Sequence, residues 1–199
     1  MRRLECLGAI YGIIFALAVM TARPAWADDP ACVGDQLSTA AATTPAAGAL
    51  LDQAIAAIDN PSNDDLDRLQ TWFGVNSSTG AAKVRQTYVN AKAFLPGISY
   101  LCAVQSSLTK KDAYARVLPT NSFAVVLAAF FWDAPVSGFD SQPGVFVHEM
   151  THFLLVGATQ DYAYGRDDAK ALAVSDPGKA QMNADNYEYF AEATSAHIK

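Results

Sequence analysis

The sequence predicts an α+β fold, mostly helical, with a small antiparallel sheet near its middle and one special helix after it. Three observations carry this. Apolar residues recur at helical spacing through the first half of the chain. Between residues 98 and 131 the period shortens, and β-branched and aromatic runs are separated by turn residues. Then Gly144-Val145-Phe146-Val147 and Phe153-Leu154-Leu155-Val156 flank His148-Glu149-Met150-Thr151-His152, which reads as one apolar, buried helix.

Met1-Arg2-Arg3, the apolar run from Leu7 to Met20 and the small-x-small pattern Ala25-Trp26-Ala27 predict a signal peptide, residues 1–27, and an exported product, secreted or periplasmic. The apolar run is short for a membrane anchor. Residues 28–199 then form a single domain, expected as a monomer. Removing Arg2, Arg3, Arg23 and Glu5 from totals of 14 basic and 20 acidic side chains leaves 11 and 19, a net charge of −8. That balance disfavours nucleic acid and anionic membranes as partners. Of the 3 Cys, Cys6 leaves with the signal peptide, and Cys32 and Cys102 are expected to pair outside the cell. Closing so long a loop contributes on the order of 4 kcal/mol in the chain-entropy view.

The first helix is read over residues 38–59, with Leu50, Leu51, Ile55 and Ile58 on one face, an irregular opening around Pro45, and a stop at Asn60-Pro61. Ser62 or Asn63 caps a second helix whose first turn holds Asp64 and Asp65. Trp72-Phe73-Gly74 ends it. A third runs from Thr79-Gly80 to about Phe94, before Pro96-Gly97. Strands are expected at Ile98–Cys102, Ala113–Leu118 and Ser122–Phe131. Ser141 caps the special helix, with Pro143 in its first turn. A further helix starts at Asp167-Asp168, and the last begins near Lys179. Asn76-Ser77-Ser78 is a glycosylation sequon by pattern.

The pattern H-E-x-x-H places His148 and His152 on one helix face, where both can offer a ring nitrogen to one metal ion. Glu149 sits beside that metal, placed to take a proton from a bound water. Two of the chain's 3 His fall here. A catalytic metal of this kind needs a third protein ligand. No His follows at close range, since the remaining one is His197, and no Glu follows until Glu188. The chain instead reads Ala158-Thr159-Gln160-Asp161-Tyr162-Ala163-Tyr164-Gly165.

This stretch resembles the aspzincins, which include deuterolysins and peptidyl-lysine metalloendopeptidases and carry H-E-x-x-H followed by G-T-x-D-x-x-Y-G. Ala158 stands where the motif has its first Gly. The Trp72-Phe73-Gly74 run after an acidic helix is similar too. The resemblance extends from about Cys32 to Glu192 and implies a zincin-like fold. It also implies a zinc ion, one per chain, with Asp161 as third ligand and Tyr164 stabilising the transition state beside the base Glu149. Asn183-Ala184-Asp185-Asn186-Tyr187-Glu188-Tyr189-Phe190-Ala191-Glu192 looks like the lysine-specific branch. There, the acids matching Asp185 and Glu188 grip the lysine ammonium of a protein or peptide substrate. Tyr162, Tyr187, Tyr189 and Phe190 are read as packing residues. Two alternatives stay open: an aspzincin of other side-chain preference, deuterolysin-like or different, or an exported zinc-binding module that recognises a lysine-bearing partner without turnover. Glu149 speaks against the second, because binding metal needs ligands but no base.

Overall fold

The structure, a computed structural model, describes residues 29–104, 114–117 and 123–198. Helix α1 (Gly34–Asp59) is the longest element and packs against three later helices. It is helical throughout, including the stretch around Pro45 expected to be irregular. Thr43 and Thr44 donate their hydroxyls to the carbonyls of Thr39 and Ala40, and Ala40, Thr43 and Ala47 are buried. Proline removes one N–H, which this Ala-rich, well-packed helix tolerates.

Helix α2 (Asn63–Phe73) begins with a reciprocal cap. Ser62 Oγ accepts from Asp65 N at 3.2 Å, and Asp65 Oδ2 accepts from Ser62 N at 2.9 Å. It ends on Gly74 at φ 67°, where an added Cβ would lie 2.4 Å from the carbonyl oxygen of Ala173. Only glycine fits that left-handed, crowded position. Helix α3 (Ala82–Phe94) runs into a single 3-10 turn at Leu95–Gly97.

The sheet has three strands, β1 (Ser99–Cys102), β2 (Ala115–Val117) and β3 (Ala124–Leu127), in the order β1-β3-β2. It is mixed, where an antiparallel one was expected. Strand β3 pairs with β2 antiparallel (Ala115 opposite Leu127) but with β1 parallel (Ser99 opposite Ala124). The most apolar strand, Ala-Val-Val-Leu, takes the central place, where Val125, Val126 and Leu127 are buried. The third predicted strand stops at Leu127, and its tail forms the short helix α4 (Ala129–Asp133). There Phe131 is buried while Phe130 is exposed. Ala113, Leu118 and Ser122 of the predicted strands lie outside the described residues. A disulfide joins Cys32 to Cys102, tying the segment before α1 to β1, where Ala31 also bridges Leu101.

Helix α5 (Gln142–His152) is capped by Ser141, whose Oγ accepts from Gly144 N at 3.1 Å. It stops at His152, so Phe153–Val156 does not continue it as expected. The carbonyl of Phe153 collects the N–H groups of Val156, Gly157 and Ala158, turning the chain back. The carbonyl of Thr151, which a longer helix would bond to residue 155, instead accepts from Thr159 N at 3.1 Å. The reversal buries Phe153 and Val156 and leaves Leu154 and Leu155 exposed.

Helix α6 (Arg166–Ser175), the one-turn α7 (Pro177–Ala180) and α8 (Ala184–Ser195) complete the chain. The last predicted helix is thus split, with Asn183 extended between its parts. Helix α8 is buried from Ala184 to Thr194 and lies against α5, α1 and α2. Tyr187 and Phe190 pack with Phe73 and Tyr88, as their apolar reading expected, and Tyr88 donates its hydroxyl to the Tyr187 carbonyl. Gly144 lets α5 approach α8 closely, since a Cβ there would sit 2.0 Å from Glu192 Oε1.

Candidate active site

Helix α5 presents His148 and His152 on one side, one turn apart, into an open cleft of about 440 Å³. Their Nε2 atoms lie 3.2 Å from each other, and each lies 3.3 Å from Asp161 Oδ1. Three donors at ligand distances of about 2.0–2.1 Å in a tetrahedral arrangement stand about 3.3 Å apart. Two imidazoles and a carboxylate with this spacing therefore fit a zinc ion.

The far side of each ring is held as well. His152 Nδ1 donates to the carbonyl of Thr159 at 3.0 Å. His148 Nδ1 lies 2.8 Å from Asp185 Oδ1 and 3.4 Å from Glu188 Oε2. With Nδ1 carrying the proton in both rings, each Nε2 turns its lone pair to the cleft. Burial lowers the proton affinity of both rings, but the carboxylate of Asp161, and for His148 those of Asp185 and Glu188, outweigh it and raise both pKa values. The same imidazoles hold Asp161 well below the usual carboxylate range, against the effect of its partial burial. Glu149, 4% exposed, and Tyr164, 47% exposed, line the same cleft, with Ala115, Arg116 and Val117 of β2 along its wall. Burial and the neighbouring Asp161 carboxylate push the Tyr164 phenol up, so it stays protonated.

The loop bearing Asp161 and Tyr164 is anchored by the stretch entering α8. Gln160 pairs with it through Gln160 N to Met182 O (2.7 Å) and Ala184 N to Gln160 O (3.0 Å). Fully buried Asn183 accepts from Tyr162 N and Ala163 N at 2.7 and 3.0 Å, and donates to Ala163 O and Asn186 Oδ1. Asn186 in turn donates to the carbonyls of Trp72 and Ala169. Ala158, at the motif's glycine position, sits at φ 51°. Tyr162, read as a packing residue, is instead 51% exposed.

Asp185 and Glu188 are 5% and 6% exposed, behind His148. Glu192 and Asp140 join them. Glu192 accepts from Asp140 N, Ser141 N and Ser141 Oγ, and Asp140 accepts from the buried Tyr189 hydroxyl at 2.8 Å. Burial, helped by the nearby Asp185 and Asp140, raises Glu188 to about 7. Burial and the charge of Glu188 raise Glu192 to about 9. Among the described residues no Lys or Arg makes an ion pair with any of these four acids. Asn183, Thr159, Asp140 and Glu192 were not singled out from sequence. For Glu192 a signal existed, because Asp185, Glu188 and Glu192 follow the i, i+3, i+7 spacing of one helix face.

Residues 59–192 match the aspzincin family model, described as lysine-specific metallo-endopeptidase. The chain belongs to the aspzincin family. Among its relatives, the peptidyl-Lys metalloendopeptidase of Grifola frondosa is 44% identical over 131 residues, covering 65% of this chain and 36% of the relative. That of Pleurotus ostreatus is 38% identical over 139 residues, covering 69% and 80%. An extracellular protease of Aeromonas hydrophila is 35% identical over 167 residues, covering 82% and 46%. This aspzincin chain spans only about a third of the length of the Grifola relative. A solved zinc peptidase from Grifola frondosa superposes with a TM-score of 0.74 at 37% identity, covering 83% of this chain and 99% of that one.

Proposed function

We propose that this aspzincin is an exported zinc metalloendopeptidase that hydrolyses peptide bonds on the N-terminal side of lysine. The observation that carries the reading is the near-equilateral set of His148 Nε2, His152 Nε2 and Asp161 Oδ1 beside Glu149 and Tyr164. In this reading His148, His152 and Asp161 hold one Zn²⁺ per chain. The ion, when bound, supplies the Lewis acidity that lowers the pKa of a water and polarises the scissile carbonyl. Glu149 accepts the proton of the attacking water and returns it to the leaving amine. Tyr164, a protonated phenol on the open side of the cleft, donates to the oxygen that develops negative charge. Asp161 contributes a negative charge to the site, which makes that extra donor more important than it would be beside three neutral ligands.

Lysine preference is supported by the buried acids behind His148. Two of them, Asp185 and Glu188, are assigned to the substrate ammonium, a compact charge with three donors. Carboxylates raised by burial and mutual repulsion gain from a cation that enters among them. The names of the Grifola and Pleurotus relatives agree with this preference. Export rests on the leader pattern in residues 1–27, on the Cys32–Cys102 disulfide and on the extracellular Aeromonas relative. The test is digestion of a denatured protein by the zinc-loaded protein. Cuts are expected before Lys, zinc content should fall in Asp161→Ala, and Glu149→Ala should keep its zinc while losing on the order of 10²–10⁴-fold in turnover. Near-parent turnover in Glu149→Ala would remove Glu149 as the base.

A further inference from the structure

One wall of the cleft is tied to a residue far from the metal-binding segments. Strand β2 is three residues long and stands at the edge of the sheet, with β3 as its neighbour. Its residues Ala115, Arg116 and Val117 line the cleft together with His148, Glu149 and Asp161. Arg116 Nη2 donates to Asp29 Oδ2; the Asp29 side chain is fully buried and that of Arg116 is 17% exposed. Asp29 Oδ1 accepts from Val104 N at 3.0 Å, just past the end of β1. Because β3 lies between β1 and β2, one carboxylate joins the β1 side of the sheet to its cleft edge. Asp29 is itself held in place, because the residues after it run along β1. Cys102 N donates to Pro30 O at 2.9 Å, Cys32 N donates to Tyr100 O at 3.0 Å, and the Cys32–Cys102 disulfide closes the pair.

We propose that Asp29 and Arg116 are a positioning pair for the cleft wall, so that a residue ahead of the first helix sets how well a peptide is bound. The proposal rests on the reading that this cleft takes a peptide substrate, but it involves neither the metal ligands nor the acids of α8. Three residues beside one neighbouring strand give an edge few bonds to hold it. A charge-assisted bond between two groups withdrawn from water adds a strong, directional tie. The tie is asymmetric. Arg116→Gln leaves a fully buried carboxylate without this cation, whereas changing both residues leaves no charge there. In Asp29→Asn the amide has one accepting oxygen, so it cannot serve both the Val104 N–H and the guanidinium as the carboxylate does. A wall that is loose before binding must be ordered when the substrate arrives, and that cost falls on association. Because the wall meets the substrate in the ground state as well as in the transition state, the loss appears in KM and not in kcat.

The experiment compares zinc-loaded parent, Asp29→Asn, Arg116→Gln and the double variant on one extended Lys peptide. Zinc affinity is read by chelator competition, and hydrogen exchange of the segments carrying β2 and α5 by mass spectrometry. Each single variant is expected to raise KM on the order of 10-fold, with kcat and zinc affinity within about threefold of the parent. Exchange should quicken in β2 and stay unchanged in α5. The double variant should be no worse than Arg116→Gln, because both changes break the same contact. Parent-like KM in Asp29→Asn overturns the proposal; a loss confined to Arg116→Gln would mean that the guanidinium acts on the substrate itself. A fall in kcat or zinc affinity alongside KM also overturns it, as general loss of structure, and so do losses that multiply in the double variant. If Arg116→Gln does not fold, Asp29→Asn and the double variant are compared instead, with equal KM in both expected and parent-like KM in either one overturning the proposal. A parent that cuts no peptide refutes the proposed function, and the exchange of β2 then decides the pair: parent-like exchange in Asp29→Asn overturns it.

Discussion

Replacing Glu188 by Gln tests the lysine pocket most directly. The side chain is 6% exposed, in a group with Asp140, Asp185 and Glu192 that holds no Lys or Arg ion pair among the described residues. An ammonium entering there leaves water, and its pairing is not screened as at a surface. Truncating one partner of such a desolvated pair costs on the order of 2–5 kcal/mol, against under about 1 kcal/mol for an exposed pair. At 1.4 kcal/mol per decade the buried case lowers kcat/KM for Lys substrates by roughly 30- to several thousand-fold. The assay uses two peptides differing only on the leaving-amine side, Lys against Ala, and follows the ratio of kcat/KM values. The Ala peptide makes no contact with the acid and serves as the internal control for folding and metal loading. A Lys-to-Ala ratio unchanged in Glu188→Gln refutes the pocket, since a buried charge partner cannot be removed at no cost. Arg should be a poor substitute for Lys in the parent, because its wide planar guanidinium does not match a site closed around a compact charge.

Three further outcomes follow from the same geometry. Ala158→Gly should stabilise the protein by about 0.5–1 kcal/mol in urea denaturation, because relief of the left-handed φ exceeds the added chain entropy of glycine; a lower midpoint would contradict this. Asn183→Ala removes four side-chain hydrogen bonds of a fully buried residue and should cost about 3–4 kcal/mol of stability, with weaker zinc binding read by chelator competition. Glu192 is raised by burial and by Glu188 to about 9, so the folded state holds its proton more tightly than the unfolded chain. Its stabilising effect is complete below the unfolded value near 4.5 and is lost as pH rises through about 9. Tm of the metal-free parent should therefore fall between pH 5 and pH 9, and Glu192→Gln should flatten that slope; equal slopes in both proteins would rule Glu192 out as the titrating group.

What the sequence determined by itself is whatever depends on near neighbours along the chain. The i, i+4 spacing of His148 and His152 follows from helical pitch, the Ser62 and Ser141 caps from local backbone bonding, and the Gly74 stop from its left-handed φ. The ligand loop and the acids of α8 were legible as a resemblance, because their residue types recur at fixed spacing. Tertiary structure decided the rest, where the competing bonds come from distant residues. Helix α5 ends at His152 because Thr159 N takes the Thr151 carbonyl, and the reversed chain can then set Asp161 Oδ1 3.3 Å from both imidazoles. The sheet centres its most apolar strand, β3, with β1 parallel to it on one edge, an order that alternation within one strand cannot express. The spacing of Asp185 and Glu188 puts them on one helix face but says nothing of what that face meets. Only when α8 packs against α5, with Gly144 allowing the approach, does one acid meet His148 Nδ1 at 2.8 Å while the other stays at 3.4 Å. That difference comes from the angle between two helices, which no local pattern along either one specifies.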